Sequence, residues 1–254
     1  MKIVTHLNEW KLFRQQLTGK KIGFVPTMGC LHQGHMSLCQ QAQAENDISV
    51  VSIFVNSTQF NQASDFDLYP RSLEADIALL SSHHIDYLFV PKSHELYADH
   101  YHIRIIETDL SCELEGKFRP GHFTGVLTVV LKLLNLVQAT HAYFGEKDYQ
   151  QFLLVRKMVE ALFLPTKIVG CETIRAEDGL ALSSRNARLT PQQRALAAHF
   201  PRLLNSLSDI STITTELQTL GFKVDYIFEK WQRRLGAVWL GDIRLIDNVA
   251  HVIK

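Results

Sequence analysis

The residues of this chain best suited to chemistry are two histidines, His32 and His35, which stand three positions apart. Residues 22–25 predict a buried strand, a turn follows, and the apolar positions after the turn predict a helix that begins near the histidines. On the first turn of a helix both imidazoles lie on one face, beside unpaired N–H groups and the positive end of the helix dipole. This group of donors predicts an anion site suited to phosphate, with Gly29 and Gly34 leaving room for the ligand.

Two other interpretations of the same stretch stay open. Two half-exposed histidines are also typical of a helix cap that binds no ligand. Cys30, His32, His35 and Cys39 carry the side chains that zinc prefers, and they form the second alternative. Their spacing disfavours zinc, because the sequence has no Cys-X-X-Cys pair and its other two cysteines lie far away.

Four further polar clusters stand at the ends of predicted strands or just before predicted helices. They are Asn56 with Gln59, Arg119 with His122, Gly145 with Glu146, Lys147 and Asp148, and Ser183 with Ser184 and Arg185. Each cluster alone is nearly as typical of an ordinary turn or helix cap as of a ligand site. In an open α/β sheet, ligands bind beyond the carboxyl ends of the strands, so the clusters together predict a nucleotide site.

The elements that must position these residues alternate between strands and helices. Strands are predicted at 22–25, 48–55, 86–91, 101–107, 142–144 and 166–174, and helices at 7–17, 72–82, 124–137 and 149–162. After Arg188 the pattern changes to helices at 191–207 and 212–220 and strands at 223–227 and 243–246. The predicted fold class is α/β, with a Rossmann-like doubly wound parallel sheet in residues 1–175 and a smaller α+β C-terminal domain in residues 176–254.

Composition restricts the function. The 254 residues include 26 basic and 26 acidic side chains, so no global field attracts nucleic acid or an anionic membrane. Four unclustered cysteines predict reduced thiols. The longest apolar run, 125–137, is too short to cross a bilayer, and the first residues have no signal-peptide character. We therefore expect a cytoplasmic protein with no nucleic-acid or membrane partner.

Seven motifs occur in order along the chain. They are Pro26-Thr27-Met28-Gly29 through His35, Phe54-Val55-Asn56 with Gln59-Phe60, Tyr69-Pro70-Arg71, Arg119 through Phe123, Phe144 through Gln151, Asp178 through Asn186, and Arg244 through Asn248. In this combination the chain resembles the pantothenate synthetase (pantoate–β-alanine ligase) family over nearly its whole length. The family belongs to the wider group of His-X-Gly-His nucleotidyl-transfer folds.

The resemblance implies that ATP, Mg²⁺ and pantoate react to pantoyl-adenylate and pyrophosphate, and that the amine of β-alanine then releases AMP and pantothenate. It implies a homodimer and leaves the metal ligands open. The ATP contacts that it implies are Met28, Gly29, Cys30, Leu31, His32, Gln33, Gly34, His35, Gly145, Glu146, Lys147, Asp148, Ile174, Leu182, Ser183, Ser184 and Arg185. Gln59 and Gln151 are expected to hold pantoate. His32, His35, Lys147 and Arg185 are the expected catalytic residues, with His35 as proton donor.

Two other functions stay open beside the ligase. An enzyme of the same fold that leaves the nucleotide on its product is one, although two glutamines at 59 and 151 favour a pocket for a hydroxy acid. A nucleotide-binding module without turnover is the other, although every charged group that the family needs is present. The sequence departs from the family pattern at Cys30, where Ala is usual, and at Ser57, where Pro is usual.

Overall fold

The structure is a computed structural model that describes residues 1–61 and 63–251. By its internal contacts the chain forms two compact units. The first consists of Met1–Glu146 and Gln150–Cys171, and the second of Lys147–Tyr149 and the described residues from Glu172 onward. The division after residue 175 stays a prediction, since the contacts divide the chain after Cys171 and assign Lys147–Tyr149 to the second unit.

The first unit is built on a six-stranded sheet in which every neighbouring pair runs parallel. Its strands are β1 (Lys2–Val4), β2 (Ile22–Thr27), β3 (Ile48–Ile53), β4 (Tyr87–Phe89), β5 (His141–Gly145) and β6 (Lys167–Cys171). Their order is β1-β4-β3-β2-β5-β6, so the chain moves from β2 to β4 in one direction and returns to the other side of β2 as β5. The reversal creates a topological switch point between β2 and β5, and the doubly wound fold class is confirmed.

Helices cover this sheet, which is why its central strands are apolar on both faces. Along this part of the chain they are α1 (Leu7–Gln16), α2 (Gln33–Glu45), α3 (Ala63–Asp67), α4 (Leu73–Ser82), α5 (Ser93–Leu96), α6 (Leu114–Phe118), α7 (His122–Val137) and α8 (Tyr149–Ala161). Most side chains of α7 are buried, as its wide apolar face predicts. None of the described helices is long and apolar enough to cross a membrane.

The second unit packs helices on a three-stranded antiparallel sheet of order β7-β8-β9, so the α+β class is confirmed as well. Its elements are α9 (Pro191–Ala197), α10 (His199–Leu204), α11 (Ile210–Thr219), β7 (Lys223–Lys230), β8 (Arg233–Leu240) and β9 (Ile243–Ala250). Phe200, Ile213 and Val238 lie fully buried in its apolar core.

The structure corrects three predicted elements. Residues 101–107 form no strand, because no described strand pairs with this segment, and Ile103 and Ile106 are 71% and 67% exposed. The predicted helix 191–207 is broken at Ala198, because Pro201 in α10 has no N–H to donate to the carbonyl of Ala197, four residues before it. Strand β8 was not predicted, because Arg234 and Gly236 interrupt its apolar pattern. A Cβ at Gly236 would lie 2.9 Å from Phe200, so the core requires this glycine.

Candidate functional site

The two strands beside the switch point lead into residues that the sequence motifs assign to ATP. β2 ends at Thr27 and continues into Met28, and β5 ends at Gly145 and continues into Glu146. The two strands pair in parallel, so their carboxyl ends lie at the same edge of the sheet. Ligands of doubly wound folds bind in the crevice beyond this edge. The structure therefore gathers the segment before His32 and the segment after β5 where a ligand is expected.

A buried carboxylate on α4 fixes the loop between β2 and α2. Asp76 is 3% exposed, and its two oxygens accept hydrogen bonds of 2.8 Å from the backbone N–H groups of Cys30 and Leu31. Ser72 stands at the predicted N-cap, but its hydroxyl donates to Asp76 rather than capping the backbone. Gly29 has a φ of 81°, and a Cβ there would lie 3.0 Å from Asp76 Oδ2. One side chain thus sets the course of the backbone before the histidines.

His32 and His35 cap the start of α2 through reciprocal hydrogen bonds. His32 Nδ1 accepts from the Gly34 N–H at 3.1 Å, and His35 Nδ1 accepts from the His32 N–H at 3.3 Å. The two ring centroids are 4.0 Å apart. Because each Nδ1 is an acceptor, each neutral imidazole carries its proton on Nε2. Capping is therefore confirmed, and it is compatible with an anion site because both Nε2–H groups are donors at the helix N-terminus.

Gln59 lies buried in the 3₁₀ turn Ser57–Gln59, directly after β3. Its Oε1 accepts a hydrogen bond of 3.0 Å from Asn56 Nδ2, and its Nε2 lies 3.0 Å from Met28 Sδ. Asn56 is fully buried, and its Oδ1 accepts a bond of 2.8 Å from the Tyr97 hydroxyl. Burial raises the pKa of Tyr97 to about 12, so this hydroxyl keeps its proton at neutral pH. The structure thus joins a candidate pantoate residue to a candidate ATP residue.

Two adjacent glutamines at the start of α8 have different surroundings. Gln150 is buried, and its amide bonds to the Glu115 N–H at 3.0 Å and to the carbonyls of Leu110 and Glu113. Gln151 is half-buried, and its amide has no hydrogen-bond partner within residues 1–61 and 63–251. Of this pair, Gln150 therefore stabilises the fold, whereas the amide of Gln151 has the properties that a substrate contact requires.

Five candidate ATP residues lie together on one loop of the second unit. The Leu182 N–H donates a hydrogen bond of 2.9 Å to the Ile174 carbonyl, which closes the base of the loop. Ser183 caps the 3₁₀ turn Ser184–Arg188, and its Oγ accepts from the Arg185 N–H at 3.3 Å. The capping alternative is confirmed for Ser183. Ser184 and Arg185 are the first two residues of this turn.

The second unit also holds Lys147 through its backbone. The Lys147 carbonyl accepts a hydrogen bond of 2.9 Å from Asn248 Nδ2, and the Lys147 ammonium lies 3.7 Å from the Asp148 carboxylate. The neighbouring Asp247 is buried and forms two hydrogen bonds with the guanidinium of Arg175, of 2.7 and 2.9 Å. Such a two-bond ion pair fixes both partners. The C-terminal motif therefore positions the backbone at Lys147.

His122 is buried, which contradicts the solvated turn drawn from the sequence for Arg119 and His122, whereas the ligand contact stays a prediction. His122 is buried as the first residue of α7. Arg119 Nη1 lies 3.0 Å from His122 Nε2, and His122 Nδ1 lies 2.8 Å from the carbonyl oxygen of Gln59. The two side chains therefore link the start of α7 to the turn that carries Gln59.

One of the four candidate zinc ligands, Cys39, is part of the apolar core. Cys39 is buried in an apolar cluster with Met36 and Val25. Burial raises its pKa to about 12, so the thiol stays protonated, whereas zinc binds the thiolate. Among the described residues, no group of three or more His, Cys, Asp or Glu is arranged to hold a metal ion.

Asp76 and Tyr97 are supporting residues that the sequence did not reveal. Asp76 stands in the first turn of a helix, where exposed acids are common, so its type and position did not indicate burial. Tyr97 follows a helix of four residues and has no motif around it. The Tyr69-Pro70-Arg71 motif, five residues before Asp76, was the sequence signal that pointed to a functional role for this segment.

Comparison with known proteins gives consistent matches over the whole chain. The family model for pantoate–β-alanine ligase matches residues 2–250. The pantothenate synthetase of Legionella pneumophila (strain Lens) is 49% identical over 249 residues, which are 98% of this chain and 99% of that protein. The one of Coxiella burnetii (strain Dugway 5J108-111) is 48% identical over 248 residues, 98% of this chain and 96% of that protein.

Two solved structures have the same fold throughout. The pantoate–β-alanine ligase of Francisella tularensis, complexed with β,γ-ATP and β-alanine, superimposes with a TM-score of 0.95 at 43% identity, covering 98% of this chain and 97% of that one. The pantothenate synthetase of Thermus thermophilus gives a TM-score of 0.90 at 40% identity, covering 98% of this chain and 99% of that one.

We predict that Asp76→Asn destabilises the first unit, because an amide offers one acceptor where two backbone N–H groups need two. The lost charge-assisted bond costs about 1.5–3 kcal/mol in free energy of unfolding. Urea unfolding followed by circular dichroism measures this cost, and Glu74→Gln, an exposed acid on the same helix, is the control. Equal stability of the two variants would contradict the role given to Asp76.

Proposed function

The chain belongs to the pantoate–β-alanine ligase family, and we propose that it forms the amide bond of pantothenate in two steps through a pantoyl-adenylate. A carboxylate is a poor acyl donor, because its leaving group would be an oxide. Attack of the pantoate carboxylate on the α-phosphorus of ATP gives an acyl-adenylate and releases pyrophosphate. The amine of β-alanine then attacks the acyl carbon and releases AMP, a good leaving group.

The observation that carries this proposal is the capping arrangement of His32 and His35 at the switch point. Displacement at the α-phosphorus builds negative charge on the phosphoryl oxygens and on the departing pyrophosphate, so catalysis rests on donors placed in advance. The Nδ1 bonds hold both rings and keep a proton on each Nε2. We assign His35 as the donor to the charge that develops, with His32 beside it.

Lys147 and Arg185 are the other proposed catalytic groups. Lysine offers an ammonium and arginine a guanidinium, and a hydrogen bond to the backbone fixes each residue. The ammonium of lysine acts on phosphate oxygens as a compact point charge. The guanidinium of arginine is planar and can donate two parallel hydrogen bonds to them. The remaining proposed ATP contacts are Met28, Gly29, Cys30, Leu31, Gln33, Gly34, Gly145, Glu146, Asp148, Ile174, Leu182, Ser183 and Ser184.

Gln59 and Gln151 are proposed to bind pantoate, with Gln59 also near β-alanine. An amide both donates and accepts hydrogen bonds, which suits the hydroxyl and carboxylate oxygens of a hydroxy acid. The Francisella enzyme was studied with β,γ-ATP and β-alanine bound, which supports both molecules as ligands here.

Mg²⁺ is proposed as the counterion of ATP. The described residues form no carboxylate cage for a cation. Mg²⁺ usually keeps several waters and binds through phosphate oxygens with few protein ligands, so the phosphates of ATP would supply most of its other ligands. The metal supplies charge neutralisation on the phosphates when it is bound.

We also propose a cytoplasmic homodimer, as the resemblance implies. Ile103 and Ile106 are exposed apolar side chains, which an interface between two copies would remove from water. Light scattering on the purified chain measures the mass, and a monomer at micromolar concentration would refute the proposal.

We expect labelled pyrophosphate to exchange into ATP when pantoate is present and β-alanine is absent, and not without pantoate. The reason is that the first step alone is reversible once a carboxylate is available. With ¹⁸O in the pantoate carboxylate, the label should appear in AMP after a full turnover. ADP and phosphate as products would refute the adenylate.

The two functions of the His35 ring are separable. Asparagine places Oδ1 where Nδ1 stands, so His35→Asn keeps the cap and loses the Nε2–H. We expect turnover to fall ~10²–10³-fold while stability stays near that of the wild type. His35→Ala loses both the acceptor and the donor, so its turnover should fall as far and it should also be less stable by about 1 kcal/mol. Near-normal turnover of His35→Asn would remove His35 from the mechanism.

A further inference from the structure

We propose that His122 is a positioning residue that sets the orientation of Gln59 for the hydroxy acid, an inference that rests on the proposed function. His122 has no assigned role in the reaction. Among the buried residues of α7, His122 alone has a titratable side chain. The structure directs it to the backbone of the residue proposed to hold pantoate.

The hydrogen-bond pattern fixes the tautomer of His122. Arg119 can only donate, so His122 Nε2, at 3.0 Å from Arg119 Nη1, is the acceptor. The proton of the neutral ring therefore lies on Nδ1 and is donated to the Gln59 carbonyl at 2.8 Å. Glu115 lies 3.7 Å from the same guanidinium and balances its charge. The ring is thus held as a directed donor.

The first turns of α7 hold the other residues of the same segment. The Gly125 carbonyl accepts a hydrogen bond of 3.2 Å from Asn56 Nδ2, the group that also bonds to Gln59 Oε1. A Cβ on Gly125 would lie 2.4 Å from the Thr58 carbonyl oxygen, so helix and turn are in direct contact. His122 and Gly125 therefore fix the turn Ser57–Gln59 at both ends. The orientation of the Gln59 side-chain amide thus depends on the position of α7.

Two substitutions of one residue separate positioning from mere stability. Asparagine at position 122 places Nδ2 where Nδ1 stands, so His122→Asn retains a donor to the Gln59 carbonyl, whereas His122→Ala has none. In the pantoate-dependent pyrophosphate exchange we expect His122→Ala to raise the KM for pantoate about 10-fold with little change in the KM for ATP. His122→Asn should restore most of this loss.

Gly125→Ala tests the same contact from a second residue. Its Cβ must displace the Thr58 carbonyl, so the KM for pantoate should rise here too. Val137→Ala is the control, because it removes fully buried volume from the same helix about 18 Å beyond Gly125. The melting temperature of each variant shows how far it is destabilised.

The outcomes decide between the two levels of the proposal. If the wild type shows no pantoate-dependent exchange, the proposed function fails. If it does exchange, and His122→Ala binds pantoate as the wild type does, the positioning role fails while the function stands. The positioning role would also fail if His122→Ala raised the KM for ATP as much as the KM for pantoate. It would fail as well if His122→Asn had the melting temperature of the wild type but did not restore the KM for pantoate.

Discussion

The candidate site depends on one buried carboxylate. Asp76 lies out of water, where a charge is stable only when its lone pairs are used, and two backbone N–H groups and a hydroxyl use them. Those N–H groups belong to the residues that lead into α2. The carboxylate therefore fixes the loop by its main chain, and the loop delivers the histidines at the start of the helix. The side chains of Cys30 and Leu31 contribute nothing to these bonds, so replacement of the family's usual Ala by Cys30 leaves them intact.

Backbone groups also carry much of the support for other candidate residues, within each of the two units. The Gln59 carbonyl binds His122, the Lys147 carbonyl binds Asn248, and the Ile174 carbonyl binds Leu182. Each bond leaves the side chain of the candidate residue available for its own partners. A scaffold of this kind separates the chemistry of a side chain from the means by which it is positioned, so both are open to separate tests by substitution.

The sequence predicted the fold class and most elements, because apolar runs report burial and the strands of a parallel sheet are buried on both faces. It identified His32, His35, Gln59 and the loop at Ser183 as candidates for ligand binding. It did not predict Asp76, because a buried acid and an exposed acid look alike in the first turn of a helix. It placed a strand at 101–107, because alternation describes a side-chain pattern and not the presence of a neighbouring strand.

Lys147–Tyr149 belongs by its contacts to the second unit, although the chain on either side of it belongs to the first. A gene shortened after the codon for Cys171 would still encode the lysine but not Asn248, which bonds to its carbonyl. A domain exchange with a homologue would likewise combine a lysine segment from one parent with supporting residues from the other. A chimera therefore needs an amide donor at position 248 to keep the hydrogen bond to the Lys147 carbonyl.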